Sequence, residues 1–547
     1  MTLLFRTFVT QFFTSETVTS DAQLRQSIAG IIAFVLTPGI LLLLQVFPDY
    51  QMTVIRVHAH RAPAGLIDDR LEWIVQMLSV YSMMTIGLIA AMSWDALTFD
   101  RRDAMVLGPL PVSGRTIVLA KLSALAALVL GTSAAINAIN GFLFAVETSD
   151  LLGARAFLLH LIGFAAATIG GAVMLFSTVV AIRNTLAVVA PARVTAIAGS
   201  LFQCVFVVAL LCAVAWTPLV GPAARRSGWG LSRAMTDALP WSWFVGLFET
   251  IRASPRRDWP EFVMLSRRAT IGLALSVSAA VVTSVAAFRT QMRAALTPVA
   301  RPGPLGQARA LRALARGLTL GDRRAAVVAD FVVTTIARNR AQQSYIAMNV
   351  AVGVAWALIA LSNARGGPLT ALASTPFILG FWLTVGLRAS FFAPGELPAA
   401  WAFRVVTFDR DTSLLAGVRA ASFALVAPPI AALAFFAGGA SLALVGVLVA
   451  AILASSLVLT VDFVPFTRAY EPGHAKLKTR WPLYLVGTSL VGYGLPRLPV
   501  WLLITIAAVL HIASRVTAHR WTVEPVDEEP DDASSVTRLD LASARGV

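Results

Sequence analysis

The chain has 547 residues, 57% of them hydrophobic and only 13% charged, with mean hydropathy +0.75 and a net charge of +15. Soluble domains carry roughly 25% charged residues, so this composition excludes a soluble globular protein. The positive charge is almost all arginine and sits between apolar runs, which points to membrane topology and anionic headgroups and away from nucleic acid.

The first predicted element is amphipathic. Leu4, Phe5, Phe8, Val9, Phe12 and Phe13 share one helix face, and Arg6, Thr7, Thr10 and Gln11 the other. Such a helix lies in the membrane interface. Crossing hydrocarbon takes about 20 apolar residues, and six runs suited to it follow: 28–47, 73–94, 117–146, 157–182, 194–220 and 269–288. A linker at 297–321, broken by Pro298, Pro302 and Pro304, comes next. A second amphipathic segment then sets Val328, Phe331, Val332 and Ile336 against Arg324, Asp330, Thr334 and Arg338. Six more runs close the pattern: 345–361, 374–392, 414–436, 442–461, 481–495 and 498–513. Pro496 and Arg497 barely separate the last two, which also read as a hairpin that does not fully cross.

The expected fold is therefore an all-α integral membrane protein of about 12 transmembrane helices. They form two six-helix repeats, 1–296 and 322–515, each preceded by an amphipathic interfacial helix. Residues 297–321 are a cytoplasmic linker. Residues 516–547 are a polar tail with Glu524, Asp527, Glu528, Glu529, Asp531 and Asp532, expected to be disordered and cytoplasmic. Ten arginines between Arg289 and Arg340 place that connection, and with it both termini, on the cytoplasmic side. The loop 221–268, with Arg225, Arg226, Arg256, Arg257, Arg267 and Arg268, runs against this orientation, but long loops follow the charge rule less strictly.

Cys204 and Cys212 fall in one run. Eight residues of helix at about 1.5 Å each keep them more than about 10 Å apart, too far for a disulfide. They read as small buried hydrophobes. The six histidines are scattered, and His58 and His60 alone make no metal site. The sequence has no GxxxxGK[ST] phosphate loop, no HExxH, no CxxC and no GxSxG. No catalytic, cofactor or metal residues are assigned. The outer loop 49–72, with Asp49, His58, His60, Asp68, Asp69 and Glu72, is the one candidate for an interfacial enzyme, and reads more simply as a solvated loop. No ionisable residue falls at the middle of a run, which argues against a proton- or sodium-driven mechanism. The Ala, Leu and Val of the runs show no polar constellation from which to name a substrate.

The most informative stretch is Trp94–Lys121, WDALTFDRRDAMVLGPLPVSGRTIVLAK. It reads as a short exposed helix, a break at Gly108, Pro109 and Pro111, and re-entry into the membrane, with Ser113 placed to cap the next helix. Here the chain resembles the membrane subunits of ABC-2 type transporters in their double-length form. The residues that carry the resemblance are Leu107-Gly108-Pro109-Leu110-Pro111-Val112, Arg115-Thr116 and Ala120-Lys121. The resemblance implies a coupling loop for a separate ATPase, formed by Asp100, Arg101, Arg102, Asp103, Leu107, Pro109, Pro111, Arg115 and Lys121. Leu239–Glu249 is similar to that family's short re-entrant element on the outer side, with Pro240, Trp241, Trp243, Gly246 and Glu249. Phe463–Thr467 and Tyr470–Gly473 resemble a cytoplasmic loop of double-length bacterial members. The second half departs from the pattern, with Val405-Val406-Thr407-Phe408 in place of Gly-Pro-Leu-Pro, so a coupling role there stays open. The resemblance implies an exporter permease of a bacterial inner membrane that is not itself an enzyme. ATP would be bound by a partner, a cytoplasmic ABC ATPase dimer. The alternative is an ion-gradient-driven 12-span secondary transporter.

Overall fold

The computed structural model describes residues 4–8, 39–40, 43–44, 46–94, 97, 111–149, 153–190, 192–220, 233–295, 306–362, 368–392, 412–460, 465–466 and 477–523. Among these residues all regular structure is helical, with no strand. In hydrocarbon only a helix or a closed barrel satisfies every backbone N–H and C=O, and the long Leu-, Ala- and Val-rich runs take the helical solution.

The first half contains α1 (46–58), α2 (Gly65–Met92), α3 (Gly114–Ser149), α4 (Gly153–Val189) and α5 (Ala192–Val220). Short α6 (Arg233–Ala238) and α7 (Pro240–Ile251) precede α8 (Pro260–Ala295). The second half contains α9 (Gly306–Gly317), α10 (Arg323–Arg338), α11 (Arg340–Ser362), α12 (Pro368–Phe392), α13 (Thr412–Val458), α14 (Leu477–Ser489) and α15 (Val500–Val523). Ser113 caps α3 as its position suggests, its Oγ accepting from the Thr116 N–H at 3.3 Å. Proline opens α7, α8 and α12, where the missing N–H costs nothing.

Among the described residues seven helices are long and apolar enough to cross a membrane: α2, α3, α4, α8, α11, α12 and α13. The protein is an all-α membrane protein. The last of these is double. Helical geometry fails at Gly438 and Gly439, the latter at φ 77°, a conformation that suits glycine. Beyond the break Gly446 packs on Ile430, Ala431 and Ala434, so the two arms fold back on each other. That divides α13 where the sequence separates 414–436 from 442–461. Within α5 and α15 shorter apolar stretches stand out, at 201–213 and 500–516, and most of the expected run 28–47 lies outside the described residues. Between α14 and α15 a π turn (Leu490–Gly494) and a 3-10 turn (Leu495–Arg497) make the reversal.

Successive long helices alternate in direction, which gives the first half two ends. Gly65 lies beside Arg256 at one, and Gly114 beside Phe288 at the other. They are named here by Pro240 and Arg115. Each half has its own core. In the first, Phe144, Phe164, Phe244, Phe248 and Phe262 are fully buried, with Phe144 and Phe164 stacked at 5.0 Å. In the second, α10, α12, α13 and α15 share Val332, Phe377, Val418, Ile430 and Leu503. The halves meet where Ala91 of α2 and Val207 of α5 pack on Ala351 of α11, flanked by Cys204, Leu211, Met348 and Val352. Both cysteines are free thiols.

The described residues of both amphipathic segments also meet protein. Val328, Val332 and Ile336 of α10 are buried against protein, with Gly417 of α13 so close that a Cβ would sit 2.5 Å from the Ala325 carbonyl oxygen. Phe8, only 2% exposed, packs on Ile117, Val118, Ala120 and Ala124 of α3. A row of apolar residues reports that a face is dry, not whether lipid or protein dries it.

Candidate functional site

Three polar features interrupt this apolar bundle. The first is an ion-pair cluster at the Pro240 end, built on α7. That helix carries Phe244, Val245 and Phe248 inward. It also approaches α8 so closely that a Cβ on Gly246 would lie 2.6 Å from the Ser266 nitrogen and 2.7 Å from the Phe262 oxygen. Trp243 donates from Nε1 to the Asp237 carbonyl at 3.2 Å. Glu249 follows on the buried face, 1% exposed. Its Oε2 accepts from Arg252 at 2.8 and 3.1 Å, and Arg252 also donates to Asp68 at 2.7 Å and to Ser254 Oγ at 3.1 Å. Arg256 continues the cluster with Asp69 at 2.8 Å, Asp68 at 3.5 Å and the Gly65 carbonyl at 2.8 Å.

Asp68, Asp69 and Glu72 therefore do not belong to a solvated loop. They lie in the first turns of α2 and supply the counter-charges that hold α7 down. His58 bonds instead within its own helix, to the Val54 carbonyl at 2.9 Å. Among the described residues no three His, Cys, Asp or Glu side chains are grouped to hold a metal ion. Tyr50 of α1 faces the same cluster, and burial pushes its phenol up to about 12 against the pull of Arg252, so it stays a neutral hydroxyl. The sequence reading placed Pro240, Trp241, Trp243, Gly246 and Glu249 in one short element, and α7 brings them together. It missed Arg252, Arg256 and Asp68 as their partners.

The second feature is a polar seam inside the first half, which the sequence reading also missed. Gln76 of α2 donates to Ser242 of α7 at 2.8 Å. Further along α2, Ser82 donates to the Thr168 carbonyl of α4 at 3.1 Å and accepts from Asn137 of α3 at 2.8 Å. Asn137 also donates to the Ser133 carbonyl at 2.8 Å, and Asn140 to the Ile136 carbonyl at 3.2 Å. Ser79, Ser82, Ser133, Asn137, Asn140 and Thr168 are all buried. Ser79 Oγ, Ser133 Oγ, Asn137 Oδ1 and Asn140 Oδ1 have no hydrogen-bond partner. Each such group costs about 1–3 kcal/mol if left bare. The seam is thus a row of hydrogen-bonding capacity held in reserve along α2 and α3. The signal for it was present: Ser133, Asn137 and Asn140 stand at i, i+4 and i+7, one helix face.

The third feature lies at the Arg115 end. Pro111 and Arg115 are exposed, whereas Lys121 is 3% exposed and turned inward. Its ammonium sits 4.8 Å over the Phe8 ring and lines a cavity of about 10 Å³ with Asn184 and Ser284, which bond each other at 2.9 Å. Its burial departs from the expected place on a docking surface; Leu97, Val118 and Leu125 line the same cavity. Asp100, Arg101, Arg102, Asp103, Leu107 and Pro109 lie outside the described residues. In the second half Pro465 and Phe466 are described, whereas 463–464, 467 and 470–473 are not. Phe466 has φ 70°, donates its N–H to the Phe391 carbonyl at 2.9 Å, and sets its ring against Phe331 and Phe391.

No family model, no curated protein and no solved structure matches the chain.

Proposed function

We propose that the chain is the membrane-spanning permease of an ATP-driven ABC-2 type transporter, an exporter of a bacterial inner membrane, with both termini cytoplasmic. One observation carries this reading. A short helix, α7, turns back into the bundle between the long helices α5 and α8 and is sealed onto α2 by Arg252 and Arg256, directly above the polar seam. A lid of this kind at one end, with the proline-broken segment around Pro111 and Arg115 at the other, suits a path that opens on one side while a partner acts on the opposite side.

The chain has no phosphate loop of its own, so the ATP and its hydrolysis belong to a separate cytoplasmic ATPase, a dimer docked on the segment that includes Arg101, Arg102 and Arg115. The unpartnered Asn and Ser oxygens of the seam favour a second reading, the ion-gradient-driven 12-span secondary transporter, because they offer acceptors inside the membrane.

Purification in mild detergent followed by mass spectrometry separates the two. The ATPase reading expects a stoichiometric soluble protein with a phosphate-binding loop, lost when Arg101, Arg102 and Arg115 are changed together to glutamate. A chain that purifies alone, and whose transport collapses when the ion gradient is dissipated, leaves the secondary transporter.

A further inference from the structure

Helix α9, which forms inside the 297–321 linker, and α10, which follows it, present an excess of arginine. Residues 306–338, covering α9 and α10, contain Arg309, Arg312, Arg316, Arg323, Arg324 and Arg338 against only Asp322 and Asp330. Asp322 is spent as the cap of α10, accepting from the Arg324 and Ala325 N–H groups at 2.9 and 3.1 Å. Asp330 is shared by Arg316 at 2.9 Å and Arg312 at 3.9 Å. Arg309, Arg323 and Arg338 are exposed. Leu311 and Ala315, the apolar side of α9, pack on the core of the second half. Protein therefore covers part of the apolar side of α9, with Leu314 left 41% exposed, and Arg309, Arg323 and Arg338 face outward.

The opposite charge lies nearby on the same chain. Residues 524–532 hold Glu524, Asp527, Glu528, Glu529, Asp531 and Asp532 with no lysine or arginine. They follow directly on α15, whose Ser514 accepts from Arg419 of α13 at 2.8 Å. Two residues back along α13, Gly417 touches Ala325 and Val328 of α10. Thus α10 and α15 converge on the same turn of α13. From Ser514 to Val523 is about 13 Å of helix, and nine further residues reach up to about 30 Å. The acidic run begins within reach of α9 and α10.

We infer that residues 524–532 dock on the arginine face of α9 and α10, an intramolecular clasp between the C-terminal segment and the start of the second half. Charge complementarity and reach select this occupant. An anionic bilayer and mere tethering are the competing outcomes.

The test uses the full chain with Cys204→Ala and Cys212→Ala, and new cysteines from Arg323→Cys and Glu528→Cys. Oxidative cross-linking is timed in detergent and in phosphatidylglycerol vesicles. The clasp gives a cross-link in both media, at least about tenfold slower near 0.5 M salt, where the Debye length falls to about 4 Å. Arg309→Glu with Arg338→Glu slows it similarly at low salt, and lysines in place of Asp531 and Asp532 restore the rate in that background. A rate indifferent to salt and to charge reversal means tethering alone and overturns the inference. So does a cross-link that forms in detergent but vanishes in phosphatidylglycerol vesicles, since the surface then belongs to lipid.

Discussion

Replacing Arg252 with alanine tests whether the ion-pair cluster holds α7 in place. The Arg252 side chain is 7% exposed and Glu249 1%, so their contact is screened little by water. Truncating Arg252 removes both bonds to Glu249 and the 2.7 Å bond to Asp68. It leaves the Glu249 carboxylate buried without its cation. Breaking a buried pair in this way costs about 3–5 kcal/mol, mostly through the stranded charge. The double change Glu249→Ala with Arg252→Ala removes that charge as well and is expected to recover about 2 kcal/mol of the loss. Asp68→Ala should cost about 1 kcal/mol or less, since its side chain is 25% exposed and water takes over part of its role. The assay is thermal unfolding in detergent followed with a thiol-reactive fluorophore, read at Cys204 and Cys212 of α5, outside the cluster. Unfolding of such proteins is commonly irreversible, so midpoints are compared at one scan rate. If the single and double variants melt together, the stranded-charge reasoning fails.

Three further outcomes follow from the packing. Gly246→Ala is expected to push α7 off α8, because the new methyl meets backbone atoms at 2.6 and 2.7 Å; loss of a monodisperse gel-filtration peak would register it. Asn137→Leu should destabilise the first half by about 1–3 kcal/mol, since Ser82 loses its donor and the row of polar contacts is cut; the same thiol assay measures it. At Phe466 the usual order should invert. Alanine and glycine both lose the packing against Phe331 and Phe391, but only glycine relieves the φ of 70°, so Phe466→Gly is expected to melt later than Phe466→Ala by about 1 kcal/mol. The reverse order would show that the backbone there is not strained.

What the sequence revealed depended on how local the cause was. The Ser113 cap and the division between 414–436 and 442–461, where helical geometry fails at Gly438 and Gly439, are decided within a few residues and were legible. The short element at α7 was expected through the resemblance of Leu239–Glu249 to a re-entrant element. The charge cluster was not, because Arg252 finds Asp68 184 residues away and nothing in either neighbourhood announces the other. The polar seam was hidden by averaging: three side chains, Ser133, Asn137 and Asn140, barely change the hydropathy of a 36-residue helix, though their spacing marks a face. Lys121 looked like a surface charge because two prolines and an arginine precede it. Its burial rests on Phe8, more than a hundred residues earlier.

The contact between the halves has a mechanical meaning. Ala91, Val207 and Ala351 meet through methyl and methylene groups, with the thioether of Met348 and the thiol of Cys204 alongside. Within lipid such a joint gains no hydrophobic driving force, only dispersion, and it carries little directional preference. Sliding α5 along α11 exchanges one set of weak contacts for another nearly equal set. Each half, by contrast, is knit internally by its own apolar core, by hydrogen bonds and by ion pairs. Among the described contacts, deformation is therefore expected to concentrate at this joint, as in a greased bearing.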